Sequence, residues 1–436
     1  MVLGIFTIRP PQFVLNLQIA LAASHRSKAR VPAATWMDPI TGAVLVRASQ
    51  PFTGVGNKRC AEDVLLLEAM RVANGRGGDV NVANNTNSSP ESINGNSSSG
   101  VRSRASSDNG GIVDGDISAV PSNTGPPLFI ADCRGKVAVQ GNQLQGKGVE
   151  DVRHHTNTQL FFCDVLNIHT MRDSQAAFIA LLSPDPLVAA AANSYGGPTA
   201  AGGTASFHKK LDECGWLKHV SLVLSSAVWA ARKLRLQGAS VLCHCSDGWD
   251  RTAQTCTLAQ LLLDPYYRTL EGFAVLVEKD WLSFGHKFQE RCAHTVDESG
   301  AGATERSPIF VQWLECVQHV VAQAPAAFEF NEAFLVFLAD ALFSCLFGTF
   351  LGNTDRERAV ELRVKERTAS VWSYALSKAA QSKFVNPAYV PERGPVWPQV
   401  AVRDLAVWKR YYLRHCPDAH PHRLSGVQWL DDFGTP

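Results

Sequence analysis

Net charge is nearly absent from this 436-residue chain: 41 basic side chains stand against 40 acidic ones, for a formal total of +1. Nothing global therefore argues for a nucleic-acid binder, and any basic surface has to be local. No C-x-x-C pair occurs among the eleven cysteines, which are odd in number and scattered. In a chain of this length that pattern reads as free thiols in a reducing compartment, against a disulfide framework or a zinc site. Internal repeats and long heptads are missing too, so neither a repeat architecture nor a coiled coil is expected. A signal peptide is not expected: Phe13–Ala23 is apolar, but Pro10 and Pro11 precede it and no small-residue cleavage site follows. The apolar stretch 333–351 carries Asp340 mid-run and Gly348 near its end, which reads as a buried helix in a soluble protein and not a membrane span.

What is present is a globular composition, 45% hydrophobic and 19% charged, long enough for one large domain or two ordinary ones. Residues 1–30 read as an N-terminal extension, or the remnant of a truncated upstream module, with one helix over Phe13–Ser24. A turn and strand over Thr41–Arg47 and a helix over Glu62–Val72 follow. From about 74 to 127 the chain turns to Gly, Asn and Ser with few apolar residues, a composition that predicts a disordered insertion. Strands are expected at Leu128–Asp132 and Leu160–Val165, separated by a Gly-punctuated loop from Gly141 to Glu150. Residues 183–205 read as a second insertion and Trp216–Arg235 as a long amphipathic helix. Residues 295–307 read as a polar loop, and helices are expected over Ser307–Ala324 and Ala333–Phe347. Residues 416–436 are a C-terminal tail, and Trp372, Trp397 and Trp408 read as packing aromatics, not a base-stacking surface.

One stretch carries chemistry. Residues 241–252 read Val-Leu-Cys-His-Cys-Ser-Asp-Gly-Trp-Asp-Arg-Thr, an apolar run, a tight loop and the start of a helix at Thr252–Leu263. Strand, loop and helix start turn successive backbone N–H groups inward and make an anion cradle. A cysteine at its entrance, Cys245, sits in a positive field that favours the nucleophilic thiolate. Arg251, at its exit, can hold two phosphate oxygens with its fork. Gly248 gives the loop its backbone freedom, and Ser246, Gly248 and Trp249 would supply N–H groups. These parts suit phosphoryl transfer through a phosphocysteine. Two carboxylates, Asp247 and Asp250, inside an anion cradle make sense only if one is protonated or transfers a proton. His244 either tunes the thiolate or packs beneath the loop.

The string His-Cys-Ser-Asp-Gly-Trp-Asp-Arg-Thr resembles, at every position, the signature of the myotubularin-like phosphoinositide 3-phosphatases, a branch of the cysteine-based phosphatases. Further blocks look like that family's catalytic domain, in its order, over most of residues 30–415. They are Arg47-Ala-Ser-Gln-Pro, Asp132-Cys-Arg134, Asn167-Ile-His-x-Met-Arg172, Trp281-Leu-Ser-Phe-Gly-His, Phe328-Glu-Phe-Asn-Glu and Phe347-Gly-Thr-Phe. The resemblance implies a single α/β phosphatase domain over 31–415, with a mixed central sheet flanked by helices. It implies Cys245 as nucleophile, Asp250 as acid and then base, and Arg251 as clamp, with no metal or other cofactor. It leaves Asp247 between a proton-transfer role and orientation of the loop or of a basic partner. It implies that Asn142, Asn167, Lys287 and Arg291 read the inositol head group; on spacing alone Lys287 and Arg291 are an i, i+4 pair that would share a helix face. Two departures stand out. Lys287 replaces the family's usual arginine and loses its fork, and the usual Asn-Ala pair ahead of Asn142 is absent. No counterpart of the family's upstream lipid-binding module of the pleckstrin-homology type is expected within residues 1–30.

The expected activity is hydrolysis of the 3-phosphate of phosphatidylinositol 3-phosphate and of the 3,5-bisphosphate. The protein is expected in the cytoplasm, peripherally on endosomal or other internal membranes, with a second copy of itself or another myotubularin-like chain as a candidate dimer partner and with no nucleic-acid partner. Rival readings are a dual-specificity protein phosphatase, a catalytically silent adaptor that binds inositides or an active partner, and a buried structural Cys245. Some family members carry degenerate loops and are inactive; Cys245, Asp250 and Arg251 set this chain apart from those.

Overall fold

Five short apolar segments build the centre of the fold in the computed structural model, which describes residues 16–73, 126–183, 207–294, 302–391 and 394–414. The strands are β1 (Ala33–Met37), β2 (Val44–Ser49), β3 (Leu128–Asp132), β4 (Thr158–Phe162) and β5 (Ser240–Cys245), in the spatial order β1-β2-β5-β3-β4. β1 is antiparallel to β2 and every other pairing is parallel. All residues of β2, β3 and β5 are buried, as parallel strands covered on both faces require.

The helices that matter here are α1 (Asn16–Ser24), α2 (Ala61–Val72), α3 (Lys136–Gln143), α4 (Ile168–Leu182), α5 (Phe207–Cys214), α6 (Trp216–Gln237), α7 (Arg251–Leu263), α8 (Leu270–Val277), α9 (Phe288–Cys292), α10 (Ile309–Gln323) and α11 (Glu332–Ser344). Leu67 and Met70 of α2 cover one face of the sheet, packing on Val44, Val46, Leu128, Ile130 and Leu242. The larger core lies on the other face, where Val220, Leu224 and Ala231 of α6 and Leu258 and Leu262 of α7 join Trp281, Phe310 and Trp313. The chain turns from α6 into β5 at Gly238, whose φ of +57° and N–H bond to Lys233 O end the helix.

Because β2, β3, β4 and β5 run parallel, their C-terminal ends lie along one edge of the sheet. The segments that follow them therefore gather there, where open parallel sheets place their ligands.

The mixed sheet flanked by helices agrees with the sequence, and so does the packing role of Trp372 and Trp408, both buried in the main core. Several boundaries differ. Asn142 does not lie in a loop: α3 runs through Gly141 to Gln143, held by the Asn142 Nδ2 bond to Ala138 O at 2.7 Å and anchored by buried Val139. β4 ends at Phe162 instead of continuing to Val165. α11 stops at Ser344 because Cys345 takes a left-handed conformation, φ +54°. No helix among the described residues is long and apolar enough to cross a membrane. The expected insertions at 74–127 and 183–205, the tail at 416–436 and the first fifteen residues fall almost wholly outside the described residues, as does residue range 295–301 of the expected polar loop.

Candidate active site

β5 delivers Cys245, 2% exposed, to the C-terminal edge of the sheet. Residues 246–250 then double back into α7, whose residues Thr252–Leu263 are all buried. The tightest point is Gly248, with φ +79°, where an added Cβ would lie 2.5 Å from Ala48 O. That conformation aims the Gly248 N–H at Cys245 Sγ, 3.3 Å away. The sulfur thus faces an amide and the N-terminus of a buried helix. Arg251 opens α7 and folds back over the loop, its Nη2 donating to Ser246 Oγ at 3.3 Å and its Nη1 to Val165 O at 3.2 Å. Cys245 and Arg251, with five residues between them in the sequence, are brought to the two sides of one cradle.

The two loop carboxylates have different fates. Asp247 accepts a hydrogen bond from Ser27 Oγ at 2.7 Å, which ties the loop to the segment after α1. Asp250 is buried and gripped by Arg291 through Nε (3.2 Å) and Nη2 (2.9 Å). His286 Nδ1 lies 3.1 Å from the same carboxylate and 2.9 Å from Trp249 O. Burial alone would raise the pKa of Asp250, but the Arg291 charge and the His286 hydrogen bond outweigh it and hold the group well below the usual carboxylate range. Trp249 is half-buried between two cations, with Lys287 Nζ 5.0 Å and the Arg30 guanidinium 5.7 Å from its ring.

Beneath the loop lies a layer of buried ion pairs. Arg47 donates to Gly248 O at 2.9 Å, to Asp280 O at 2.6 Å and to Asp280 Oδ1 at 2.8 Å, with Phe284 stacked 4.1 Å from it. Burial would push Asp280 up, yet the Lys279 and Arg47 charges hold its pKa at about 2. Arg30, half-buried and beside Arg47, has its pKa pulled down to about 10 by desolvation and by the Arg47 charge. His244 points to the opposite face of β5, its Nε2 2.9 Å from Glu150 Oε2. Glu150 also accepts from Arg26 Nη1 at 2.6 Å, and Arg26 forks onto Asp63 at 2.8 and 2.6 Å. Although burial disfavours its charge, Glu150 is kept ionised by His244 and Arg26, its pKa well below normal. Asp132 and Arg134 form a third pair, and Arg134 reaches Gly148 O at 2.9 Å and also bonds Gln50.

Of the four expected head-group residues, Arg291 hydrogen-bonds the loop at Asp250, and Lys287 meets it through the Trp249 ring. Lys287 does not share a helix face with Arg291: α9 begins at Phe288, and Lys287 stands before it, paired with Glu290 at 2.8 Å. Asn167 caps α4, accepting from Thr170 N at 3.0 Å, and lines a groove that Arg251 also lines. Asn142 spends its amide nitrogen on Ala138 O, as above. Ser27, Arg30, Glu150 and Arg26, which surround the loop, carried no signal in the sequence. Arg47, Arg134 and His286 lay inside blocks noted there without a role. Among the described residues no group of three or more His, Cys, Asp or Glu side chains is placed to hold a metal ion.

Comparison with known proteins bears on the same region. The family model of the myotubularin-like phosphatase domain matches residues 8–359. A phosphatidylinositol-3,5-bisphosphate 3-phosphatase MTMR6 of Caenorhabditis elegans is 36% identical over 400 residues, covering 90% of this chain and 48% of its own length. The mouse protein of the same name is 35% identical over 405 residues, covering 92% of this chain and 54% of its own length. Myotubularin of Rattus norvegicus is 37% identical over 406 residues, covering 92% and 56%. This chain spans about half the length of these relatives.

Proposed function

The chain belongs to the myotubularin-like phosphatase family, and on that premise we propose that it is a cysteine-dependent phosphatase removing the 3-phosphate from phosphatidylinositol 3-phosphate and the 3,5-bisphosphate. One observation carries the reading: Cys245 Sγ accepts the Gly248 N–H inside a loop closed by Arg251. Relatives named as 3,5-bisphosphate 3-phosphatases support the choice of substrate.

In the first step the Cys245 thiolate attacks phosphorus, a sulfur–phosphorus bond forms, and the bond from phosphorus to the inositol 3-oxygen breaks. Arg251 and the loop amides hold the non-bridging oxygens, and such preorganised donors supply most of the rate. The leaving oxygen takes a proton from Asp250. In the second step Asp250 takes a proton from water, water oxygen attacks phosphorus, and the thiolate leaves with inorganic phosphate released. Held by Arg291, Asp250 is ionised. A substrate whose anionic head group draws the Arg291 fork onto itself removes the charge that keeps Asp250 ionised, so binding arms the acid. Asp247, bonded to Ser27, orients the loop, and Lys287 beside Trp249 offers a cation to the ring phosphate away from the scissile one. Action on such lipids places the enzyme at the surface of endosomal or other internal membranes. Pairing with a second myotubularin-like chain belongs to the same reading, and sedimentation of the purified protein measures it.

The test is phosphate release from short-chain phosphatidylinositol 3-phosphate, beside the 4- and 5-phosphates and a phosphotyrosine peptide, with Cys245→Ser as control. Turnover confined to 3-phosphorylated lipid and lost in the variant is expected. Turnover of the phosphotyrosine peptide alone assigns a protein phosphatase, and none on any substrate assigns a silent adaptor.

A further inference from the structure

α3 leaves the sheet edge directly beside the loop and is fastened at both ends. Its first turn, Lys136 to Ala138, walls a groove of about 650 Å³ that reaches Arg251. Past its end, Gly148 O is bonded by Arg134, which also bonds Gln50, and the Gln50 N–H donates to Ser246 O in the loop at 3.2 Å. The turn after α3 also carries a second segment: the Gly54 N–H donates to Lys147 O at 3.2 Å, which docks the loop 52–59 against it.

The helix faces the wrong way for a folded core. Val139 is its only buried residue. Val137 and Leu144, seven positions apart and thus on one stripe, are 82% and 81% exposed, and Val55 on the neighbouring loop is 72% exposed. Exposed aliphatics singly placed need no explanation. Three of the most exposed aliphatic side chains among the described residues, on two segments that bond to each other at one edge of the catalytic mouth, do.

The two segments themselves carry charge of one sign. Segments 52–59 and 133–149 contain no Asp or Glu. They contribute Lys58, Arg59 and Lys136, all exposed, and half-exposed Lys147. The next carboxylate in sequence, Glu150, is buried against Arg26 and His244. Asp164, across the groove, is the exposed acid facing this rim. Aliphatic tips among exposed cations match a surface of anionic head groups over acyl chains.

We infer that Val55, Val137 and Leu144, flanked by Lys58, Arg59, Lys136 and Lys147, seat this edge of the molecule in the interfacial layer of an anionic lipid bilayer. The catalytic mouth is thereby set against the membrane, so a lipid phosphate reaches Cys245 without leaving the bilayer. The inference rests on the proposed function for its purpose, not for its geometry. Each cation near such a surface strengthens binding about fivefold, and salt weakens it.

The experiment uses the full chain and vesicles of phosphatidylcholine with and without phosphatidylserine, neither containing inositide. The protein is expected to sediment with the phosphatidylserine vesicles, less so as salt rises. The double variant Val55→Asp, Leu144→Asp, whose sites are exposed and lie outside the lining of the groove that reaches Arg251, is expected to melt like the parent and to bind at least about tenfold more weakly. Its turnover of short-chain, water-soluble inositide should equal the parent's, and its turnover of inositide in phosphatidylserine vesicles should fall with binding. Equal vesicle binding by variant and parent overturns the inference, as does a parent that binds no anionic vesicles. Loss of self-association without loss of vesicle binding assigns the rim to a second copy of the chain, and also overturns it. If the parent releases no phosphate from soluble inositide, the proposed activity fails while the binding arm still decides the rim.

Discussion

Arg291 closes a two-pronged hydrogen bond on Asp250, Nε to Oδ1 at 3.2 Å and Nη2 to Oδ2 at 2.9 Å, across 41 residues of sequence. The group proposed to protonate the leaving oxygen is therefore also the partner of the cation proposed to read the head group.

Asp250→Asn should separate substrates by leaving group. An inositol oxygen needs a proton as it departs and an activated aryl oxygen does not. Turnover of the inositide should fall roughly 10²- to 10⁴-fold, the range for removal of a general acid. A good aryl phosphate should lose less than about tenfold in its first step. The measurement is kcat/KM on both substrates with burst kinetics on the aryl one, and an equal loss on both would remove Asp250 from the acid role.

Arg291→Ala should move a pH profile. With the cation gone, burial acts upward on Asp250 against the His286 contact alone. The limb of kcat/KM that reports Asp250 in the free enzyme should then shift to higher pH. An aryl phosphate with a poor leaving group is the substrate to use, since it does not depend on Arg291 for binding. A profile that stays in place would mean His286 alone sets the charge of Asp250.

Gly248→Ala should abolish turnover while leaving the fold. The new Cβ would stand 2.5 Å from Ala48 O at a φ of +79°, and the obstacle is backbone, not a side chain that can rotate away. The strain is worth about 1–3 kcal/mol, small for a domain of this size, but relieving it turns the Gly248 N–H away from Cys245 Sγ. Loss of activity with a modest fall in melting temperature is expected; a variant that keeps full activity would show that this N–H is dispensable.

The loop was legible because its parts are local. Cys245, Gly248 and Arg251 lie within one short turn, and an apolar run before it and an apolar helix after it are visible as such. The supporting charges were not legible, because the partners meet only once the sheet is assembled. Ser27 reaches Asp247, Arg26 reaches Glu150, and Arg47 reaches Asp280 over long stretches of chain. Nothing local marks Glu150 as a buried anion. Spacing misled at Lys287 and Arg291, where an i, i+4 interval suggested one helix face. Lys287 instead has φ −82° and ψ 68°, outside the helix, while buried Phe288 starts it. Glycines misled at Asn142, where Gly141 suggested a loop and a helical turn formed across it.

A last prediction concerns the core. Glu315 of α10 is buried, accepting from Trp216 Nε1 at 2.8 Å and Tyr412 Oη at 2.9 Å, and no cation pairs with it among the described residues. Burial pushes its pKa from 4.5 up to about 7 despite those two hydrogen bonds. Between these values the native state holds a proton that the unfolded chain has released, so this group's contribution to stability falls as pH rises through the window. The full difference amounts to about 3 kcal/mol. Glu315→Gln has no such dependence and can still accept from Trp216. Its stability relative to the parent should therefore improve by up to about 3 kcal/mol between about pH 5 and pH 8, as read from urea unfolding at both. A difference between variant and parent that does not change with pH would show that Glu315 is ionised in the native state near pH 5, with water or a moved cation replacing the solvation that burial removes.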